Sequence, residues 1–443
     1  MTSLLQRSLA EPSPMVIRGD GILLTLADGR TVIDATGGAA VACLGHGHPR
    51  VLEAMALQAT QVCYLHSSFF TSEPAEQLAD QLVGHKPGGL SRALFVSSGS
   101  EATEAALKLA RQYFLEIGQP ERVHVIGRRQ SYHGATLAAL AVGGHRARRQ
   151  PYEPLLGIPS SQVSPCFAFH YRQPNETDQA YVGRLAAELE AEFVRVGPGK
   201  VMAFIAEPVV GAATGCVPAV PGYFAAIREV CDRHGALLIL DEIMCGMGRT
   251  GRLHAWEAEG VAPDIQTIGK GLGGGFQAIG AILVTDRVVE ALSRGSAGFV
   301  HGQTYQAHPV ACAAALAVQR VVAEEGLIQR SAEMGQILRG QLEERFGRHP
   351  NVGDIRGRGL FQGLEFLEDR DRKKPFAPGA KIADRVKRAA LELGLCVYPG
   401  TGTVDGVNGD HILLAPPFNV TGDEIATIIE RLDAALGPVF SVS

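Results

Sequence analysis

The sequence has no long apolar run. Nowhere in its 443 residues do about 18 uncharged apolar residues follow one another, so no membrane-spanning helix is expected. Its start, MTSLLQRSLAEPSPM, also lacks the apolar stretch of a signal peptide. These two absences predict a soluble, cytoplasmic protein without a membrane partner.

Positive charge is scarce as well. The formal net charge is -5, and the densest basic cluster, Arg146, Arg148 and Arg149, is short. A domain that binds nucleic acid generally presents a basic surface to the phosphates. The composition therefore predicts no nucleic-acid partner.

The eight cysteines are scattered and form no C-x-x-C pair. No closely spaced set of cysteine and histidine matches a zinc site. We expect reduced thiols in the interior of a cytosolic protein, and no bound metal.

Several catalytic motifs are missing. Around Lys270, Asp264 stands where a P-loop needs its first glycine, and Gly271 stands where it needs a hydroxyl. The stretches that follow Gly271 and Gly357 do not complete a dinucleotide-binding fingerprint. Neither H-E-x-x-H nor a G-x-S-x-G at a predicted strand end occurs. These absences argue against nucleotide hydrolysis, nicotinamide chemistry, zinc proteolysis and serine hydrolysis.

Short apolar runs alternate with helical patterns between residues 90 and 290. Uncharged strands between helices are typical of a mostly parallel sheet that is covered on both faces. The predicted fold class is therefore α/β, with a large domain over residues 51–320 and a smaller α+β domain over residues 321–443. Residues 1–50 are predicted to contain a hairpin and to contribute to the small domain.

Four polar residues stand at or just past predicted strand ends: Ser98, Glu207, Asp241 and Lys270. In parallel sheets, functional groups gather at the carboxyl ends of the strands. We therefore expect these four side chains to lie near one another.

Ser98, Gly99 and Ser100 directly precede a strong helical pattern. Free backbone N–H groups, the helix dipole and two hydroxyls at such a position can bind a phosphate. An ordinary helix N-cap explains the same residues. The stretch alone does not decide between these interpretations.

Asp241 and Lys270 point to one cofactor. A carboxylate at the end of the apolar run LLILD is costly to bury unless it meets a cation or a hydrogen-bond donor. Lys270 lies between glycines in TIGKGLGGG, where a planar group can approach the backbone closely. Partial burial would lower the pKa of its amine and make it reactive. The alternative is a solvated surface lysine, which is the commoner kind. A phosphate site, a buried acid and a reactive lysine together match the needs of pyridoxal 5'-phosphate.

Two further stretches could contact such a cofactor. Tyr132 and His133 follow a predicted strand, where an aromatic ring could stack on the pyridine ring or simply pack. Thr304 lies in a loop before a helical pattern and could reach a phosphate, but a plain lead-in to the helix explains it at least as well.

These stretches resemble the motifs of a known family. In chain order they read SSGSEATEAALKLAR, YHGAT, AEPV, LLILDEIMCGMGRTG, TIGKGLGGG and HGQTYQAHPVACAAALA. They are similar to blocks of the class III aminotransferases, the ω-transaminase-like branch of the fold-type I pyridoxal-phosphate enzymes. The resemblance runs from about residue 15 to 435. It implies a pyridoxal-phosphate-dependent aminotransferase with ping-pong kinetics.

The resemblance also implies the roles of single residues around the cofactor. Lys270 would be the catalytic residue and form the internal aldimine, and Asp241 would hold the pyridinium proton. Ser98, Gly99 and Ser100 would bind the phosphate.

The remaining cofactor-binding residues follow from the same resemblance. Tyr132 and Ile243 would cover the two faces of the ring, with His133 next to Tyr132. Glu207 would lie beside the cofactor near the substrate. Thr304 would reach the phosphate of the neighbouring subunit, which implies a homodimer.

The substrate is less well defined. Many members of the family hold a substrate carboxylate with an arginine shortly before a PP pair, but His411 stands there in HILLAPPF. Arg356, Arg358 or a mobile arginine elsewhere takes this role, or the donor has no carboxylate. Phe69 or Phe70 could line an apolar pocket, although core packing is the commoner fate. We expect an amine or ω-amino acid donor, with pyruvate or 2-oxoglutarate as acceptor.

Alternative activities would use the same cofactor residues. An aminomutase or a decarboxylating transaminase differs in which substrate bond is held perpendicular to the ring. A non-catalytic binding protein of this fold is disfavoured, since it would have no need of a reactive Lys270.

Overall fold

The computed structural model describes residues 3–441. Its strands, in chain order, are β1 (Val16–Asp20), β2 (Leu23–Leu26), β3 (Thr31–Asp34), β4 (Leu90–Val96), β5 (His124–Arg128), β6 (Ser160–Val163), β7 (Val201–Ala206), β8 (Val209–Val210), β9 (Val217–Pro218), β10 (Leu237–Asp241), β11 (Ile265–Ile268), β12 (Gly280–Thr285), β13 (Val352–Arg358), β14 (Phe361–Asp369), β15 (Lys374–Pro375), β16 (Leu395–Cys396), β17 (Tyr398–Thr401) and β18 (Asp410–Leu414).

The α-helices alternate with these strands. In chain order they are α1 (Gly37–Ala40), α2 (Pro49–Gln61), α3 (Glu73–Val83), α4 (Gly99–Glu116), α5 (Leu137–Val142), α6 (Arg146–Arg149), α7 (Ala168–Tyr171), α8 (Asp178–Val196), α9 (Tyr223–His234), α10 (Asp286–Arg294), α11 (Pro309–Glu324), α12 (Leu327–Phe346), α13 (Ile382–Glu392) and α14 (Gly422–Phe440). None of the helices in the described part of the chain combines the length and apolar character needed to cross a membrane.

The central sheet has the strand order β4-β12-β11-β10-β7-β5-β6. β10 is parallel to β7 and β11, and β5 is parallel to β6 and β7. Only β12 runs the other way, antiparallel to both β11 and β4. The predicted mostly parallel α/β sheet is thus confirmed. Because β12 is antiparallel to both of its neighbours, β4 runs in the same direction as β11. The carboxyl ends of all the strands except β12 therefore lie at one edge of the sheet.

Both faces of the sheet are covered by helices. Every residue of β7 and β10 is buried, as expected of central strands with uninterrupted apolar sequences. Successive residues of β10 face opposite cores: Leu238 and Leu240 pack with Phe224 of α9, whereas Ile239 packs with Leu109 of α4. The sheet is therefore a rigid platform for the groups at its edge.

The two ends of the chain meet in a second core. β16 adds in parallel to β3, so the N-terminal sheet β1-β2-β3 is completed by a C-terminal strand. Ile33 and Val51 are buried together with Leu364 and Ile428. The predicted domain boundary at residue 320 lies inside α11, a helix that contributes residues to both cores.

The C-terminal region follows its sequence pattern. β13 and β14 form an antiparallel pair over the stretch VGDIRGRGLFQGLEF. α14 begins after Thr421, whose Oγ1 accepts a hydrogen bond from Glu424 N at 3.2 Å, while Glu424 Oε2 accepts one from Thr421 N at 2.8 Å. This reciprocal capping box fixes the start of the helix.

Candidate active site

A cavity of about 170 Å³ lies at the carboxyl edge of the central sheet, which is room for a small organic group rather than a single water. Its wall contains eight of the residues predicted from the sequence: Gly99, Ser100, Tyr132, His133, Glu207, Asp241, Ile243 and Lys270. The sheet topology explains this meeting, since the strands that carry these residues all end at this edge.

Ser98 and Thr304 lie outside that wall. Ser98 Oγ caps α4 by accepting a hydrogen bond from Glu101 N at 3.2 Å, so the N-cap interpretation is correct for its side chain. The N–H groups of Gly99 and Ser100, the first residues of α4, have no partner within the helix and remain suited to an anion. Thr304 is exposed in the loop before α11.

Lys270 follows β11 with a backbone φ of 44°, in the left-handed region that few residues other than glycine occupy. Such strain persists only where the surrounding structure enforces it, and it is common at functional sites. Burial lowers the pKa of the Lys270 amine to about 8, against the opposing effects of Asp241 and Glu207. A substantial fraction of the amine is therefore neutral near physiological pH and able to act as a nucleophile or base.

Asp241 is 3% exposed and held by three donors. His133 Nδ1 donates to Asp241 Oδ2 at 2.7 Å. Thr267 Oγ1 and Ile243 N donate to Oδ1 at 3.1 and 3.0 Å. These bonds fix the orientation of the carboxylate, which retains lone pairs for one more donor in the cavity.

Thr267 was not predicted from the sequence. It contacts Asp241 because β10 and β11 are parallel neighbours in which Asp241 pairs with Thr267. The only feature of the sequence that points to Thr267 is its position three residues before Lys270. That feature predicts a contact with Asp241 only when the register between β10 and β11 is known. The structure also places His133 behind Asp241, as a partner of that carboxylate.

Glu207 lies immediately after β7, with one carboxyl oxygen satisfied and one not. Its Oε1 accepts a hydrogen bond from Tyr132 N at 3.0 Å, whereas its buried Oε2 has no hydrogen-bond partner within residues 3–441. Burial raises the pKa of Glu207 to about 7, with the nearby His133 acting in the opposite direction. An unsatisfied buried oxygen in a cavity wall indicates a place for a ligand's polar group.

Ile243 and Tyr132 form apolar parts of the wall. A Cβ atom at position 99 would lie 2.8 Å from Ile243 Cγ2, so Gly99 allows this side chain to pack against the start of α4. The ring of Tyr132 is covered by Arg148, whose guanidinium carbon lies 4.6 Å from the ring centroid. Arg148 was noted in the sequence only as one member of a short basic cluster.

His133, Glu207 and Asp241 could also be considered as metal ligands. One potential ligand atom from each lies within 4.8 Å of the others. A cation would have to displace the hydrogen bond between His133 and Asp241, and it would face the Lys270 amine in the same cavity. An organic ligand suits this wall better than a metal ion.

Neither arginine of the DIRGRGLF stretch is available for a substrate. Arg356 donates to Glu365 at 2.6 Å and to Asp354 at 2.9 Å, and its remaining N–H groups reach backbone carbonyls. Arg358 forms an ion pair with Glu259 and also donates to a backbone carbonyl. Both guanidinium groups are used in packing the small domain against the large one.

His411, Phe69 and Phe70 do not form the substrate side of the cavity either. His411 is buried, shares a hydrogen bond of 2.7 Å with Thr403 Oγ1, and has its pKa lowered to about 3 by burial. Phe69 and Phe70 are 76% and 67% exposed and belong to neither the wall nor a core. The predicted apolar-pocket and core roles of these rings are both absent from the described subunit.

Known proteins are similar to this chain over nearly its whole length. The sequence profile of the aminotransferase class III family matches residues 7–436. An uncharacterized aminotransferase of Schizosaccharomyces pombe is 52% identical over 423 residues, which cover 96% of this chain and 92% of the relative. The diaminobutyrate–2-oxoglutarate transaminase of Halomonas elongata is 34% identical over 433 residues, covering 97% and 91%. The structure of an amine transaminase from an uncultivated Pseudomonas species in its PLP-bound form is 33% identical, with a TM-score of 0.91, and the match covers 99% of this chain and 98% of that one.

Proposed function

The chain belongs to the class III aminotransferases, which use pyridoxal 5'-phosphate, and from this premise we propose that it transfers the amino group of an amine or ω-amino acid to pyruvate or 2-oxoglutarate. Its fold is that of the fold-type I pyridoxal-phosphate transaminases. The names of the Halomonas relative and the Pseudomonas structure, with diaminobutyrate, 2-oxoglutarate and an amine as substrates, support donors and acceptors of these kinds.

One observation carries the proposal most directly. The Lys270 amine, with its pKa lowered to about 8, lies in one cavity with the oriented carboxylate of Asp241 and the free N-terminus of α4. A nucleophilic amine, an acceptor for a ring N–H and an anion site are the three contacts that pyridoxal phosphate needs from a protein.

The residues present fit that cofactor. Gly99 and Ser100 would hold the phosphate through their backbone N–H groups, and Asp241 would accept the hydrogen bond of the pyridine nitrogen. Tyr132 and Ile243 would lie against the ring and exclude water from it. The unsatisfied Oε2 of Glu207 is left for a polar group of the ligand.

When bound, pyridoxal phosphate would supply an aldehyde for the amino group and a ring that withdraws electrons from the substrate carbon. Asp241 would strengthen this withdrawal by keeping the ring nitrogen protonated. Lys270 Nζ would accept the proton released from the substrate carbon and give it back later, as general base and then general acid. An amine whose pKa lies near 8 is well matched to both roles at neutral pH.

We further propose that the enzyme acts as a homodimer in which Thr304 reaches the neighbouring subunit's cofactor. The loop that carries Thr304 also exposes Val300 and Tyr305, which are 77% and 60% exposed in the single subunit. Exposed apolar side chains favour burial against another protein surface. Light scattering should give twice the subunit mass, and Thr304→Ala should weaken cofactor binding without dissociating the dimer.

A panel of donors tests the proposed activity. The purified protein loaded with pyridoxal phosphate is mixed with amines and ω-amino acids, and the visible absorbance of the bound cofactor is followed. Suitable donors should bleach this absorbance and release an aldehyde or an oxo acid, and pyruvate or 2-oxoglutarate should restore it. A rearranged amine or released carbon dioxide would instead indicate an aminomutase or a decarboxylating transaminase. No bleaching by any donor would contradict the proposal.

A further inference from the structure

Arg148 is a positively charged side chain without an acidic partner beside the active-site cavity. It is half-buried on the short helix α6, and none of its guanidinium N–H groups has an acceptor among residues 3–441. Its neighbour Arg149, in contrast, donates to the carbonyl oxygens of Ala141 and Gly143 at 2.7 and 2.5 Å. A partly buried guanidinium without an anion is costly, which suggests that a ligand completes it.

Arg148 lies close to the residues of the active-site cavity. Its guanidinium carbon lies 4.6 Å from the centroid of the Tyr132 ring, and that ring forms part of the cavity wall. After burial, which is the larger cause, the positive charge of Arg148 also contributes to lowering the pKa of Lys270. The guanidinium therefore lies within electrostatic reach of the amine that meets the substrate.

Among residues 3–441, no carboxylate forms an ion pair with Arg148. The ring of His145 meets that of Tyr132 edge to face, with the ring centroids 6.2 Å apart. Burial, and to a smaller extent the charge of Arg148, lowers the pKa of His145 to about 4. This imidazole is therefore neutral near pH 7. The carboxylates of Asp241 and Glu207 are hydrogen-bonded to His133 and to Tyr132 N instead.

The other candidates for an anion site are occupied or uncharged. Arg356 and Arg358 are paired with carboxylates, and His411 has a pKa of about 3. Arg128 also keeps one unpaired donor, Nε, but its guanidinium is buried near the rings of Tyr223 and Phe224 and donates to the backbone oxygen of Glu207. Arg148 combines a permanent charge with guanidinium N–H groups that have no acceptor in the described residues.

We propose that Arg148 binds the carboxylate group of the amino donor and of the oxo-acid acceptor, an inference that rests on the proposed aminotransferase function. A guanidinium can hold a carboxylate through two parallel hydrogen bonds. The enzyme then prefers ω-amino acids over plain amines of the same length. Arg148 thereby takes the role for which Arg356 and Arg358 are not available.

Two donors that differ only in the carboxylate test this assignment: 4-aminobutanoate and butylamine. Single-turnover reactions of the holoenzyme are measured without an acceptor, so that only the donor's charge varies. Arg148→Met should lower the second-order rate constant for 4-aminobutanoate by about 10- to 100-fold, the effect of losing a charge-assisted hydrogen bond. Its rate with butylamine should change by less than about 3-fold.

The variant Arg146→Met is the matched control. Arg146 is exposed on the same helix, so its replacement removes the same charge without removing the proposed contact. It should leave both rate constants near those of the wild type. Arg148→Gln removes the charge but keeps polar donors. Thermal unfolding of all three variants shows whether Arg148→Met has merely lost stability.

Binding of butanoate gives a readout that is independent of turnover. Calorimetry should show that the wild-type holoenzyme and Arg146→Met bind this amine-free carboxylate, and that Arg148→Met binds it at least about 10-fold more weakly. An equal loss of rate for both donors, or a loss of cofactor affinity, would overturn the assignment and give Arg148 the role of positioning Tyr132. Unchanged rates and unchanged butanoate binding would overturn it as well.

Failure of the proposed function looks different. In that case neither donor bleaches the wild-type cofactor, whatever the residue at position 148. If the wild type reacts with butylamine and Arg148→Met reacts with 4-aminobutanoate as fast as the wild type does, only the assignment of Arg148 is wrong.

Discussion

Asp241 in the cavity wall and Arg148 beside the cavity differ in how many hydrogen bonds the protein makes to them. On the cofactor side, Asp241 receives hydrogen bonds from His133, Thr267 and Ile243 N, all between 2.7 and 3.1 Å. Beside the cavity, Arg148 has no hydrogen-bond acceptor in the described chain, and its guanidinium lies over the ring of Tyr132. A resident cofactor can be met by a rigid, pre-oriented group. A substrate that enters and leaves at every turnover is better met by a charge that has no partner in the protein.

Replacing Lys270 should affect the cofactor side most. Lys270→Ala removes the amine that takes the cofactor and moves the proton, so kcat should fall by at least about 10⁴-fold. Cofactor should still bind, because Asp241 and the start of α4 remain. Steady-state kinetics and cofactor stoichiometry measure both effects, with the exposed Lys200→Ala as control. Transamination at the wild-type rate would exclude Lys270 as the catalytic residue.

Asp241→Asn should have the second-largest effect. The amide keeps the shape of the side chain but no longer stabilises a protonated ring nitrogen, so the transition state loses on the order of 3 kcal/mol, a factor of about 10² or more in rate. Single-turnover rates with the best donor measure the loss. A rate equal to that of the wild type would show that this carboxylate is not needed for electron withdrawal.

Glu207 should make the stability of the apoenzyme depend on pH. Burial raises its pKa from 4.5 in the unfolded chain to about 7 in the fold, so its contribution to stability is fully present below pH 4.5 and is lost as the pH rises through 7. Relative to Glu207→Gln, the wild type should therefore lose about 2.5 kcal/mol of unfolding free energy between pH 5 and pH 8. Denaturant unfolding at pH 5 to 8 measures this, with the exposed Glu53→Gln as control. A constant difference between wild type and variant would contradict the burial effect.

Thr267→Val should have the smallest effect on the cofactor side. It removes one of three donors to Asp241, which is worth about 1 kcal/mol, or roughly 5- to 10-fold in kcat. Thr267→Ser keeps the hydroxyl and should restore most of the rate. If serine and valine have equal effects, Thr267 serves packing and not the orientation of Asp241.

The sequence predicts Asp241 and Lys270 but does not predict Thr267 or Arg148. Asp241 and Lys270 can be found from the chain alone, since a polar residue directly after a short apolar run marks a strand end. Thr267 cannot, because its contact depends on the register between β10 and β11. Arg148 cannot, because its place depends on how the short helix α6 lies against Tyr132.

The family motifs show the same asymmetry. They include the residues that we propose to meet the cofactor, and the α/β fold that they imply is the one observed. The sequence, in contrast, leaves the substrate arginine open between Arg356, Arg358, an arginine elsewhere and none at all, and the structure shows Arg356 and Arg358 paired with carboxylates. The pair of Arg356 with Glu365 depends on the register of β13 and β14, and the pair of Arg358 with Glu259 joins distant segments, so neither is visible in a linear pattern.

Covalent trapping tests the central claim most directly. The protein loaded with pyridoxal phosphate is reduced with borohydride, digested and analysed by peptide mass spectrometry. We expect the pyridoxyl phosphate group on Lys270, in the peptide containing TIGKGLGGG, and on no other lysine. A label on a different lysine, or none in a protein saturated with cofactor, would contradict the account.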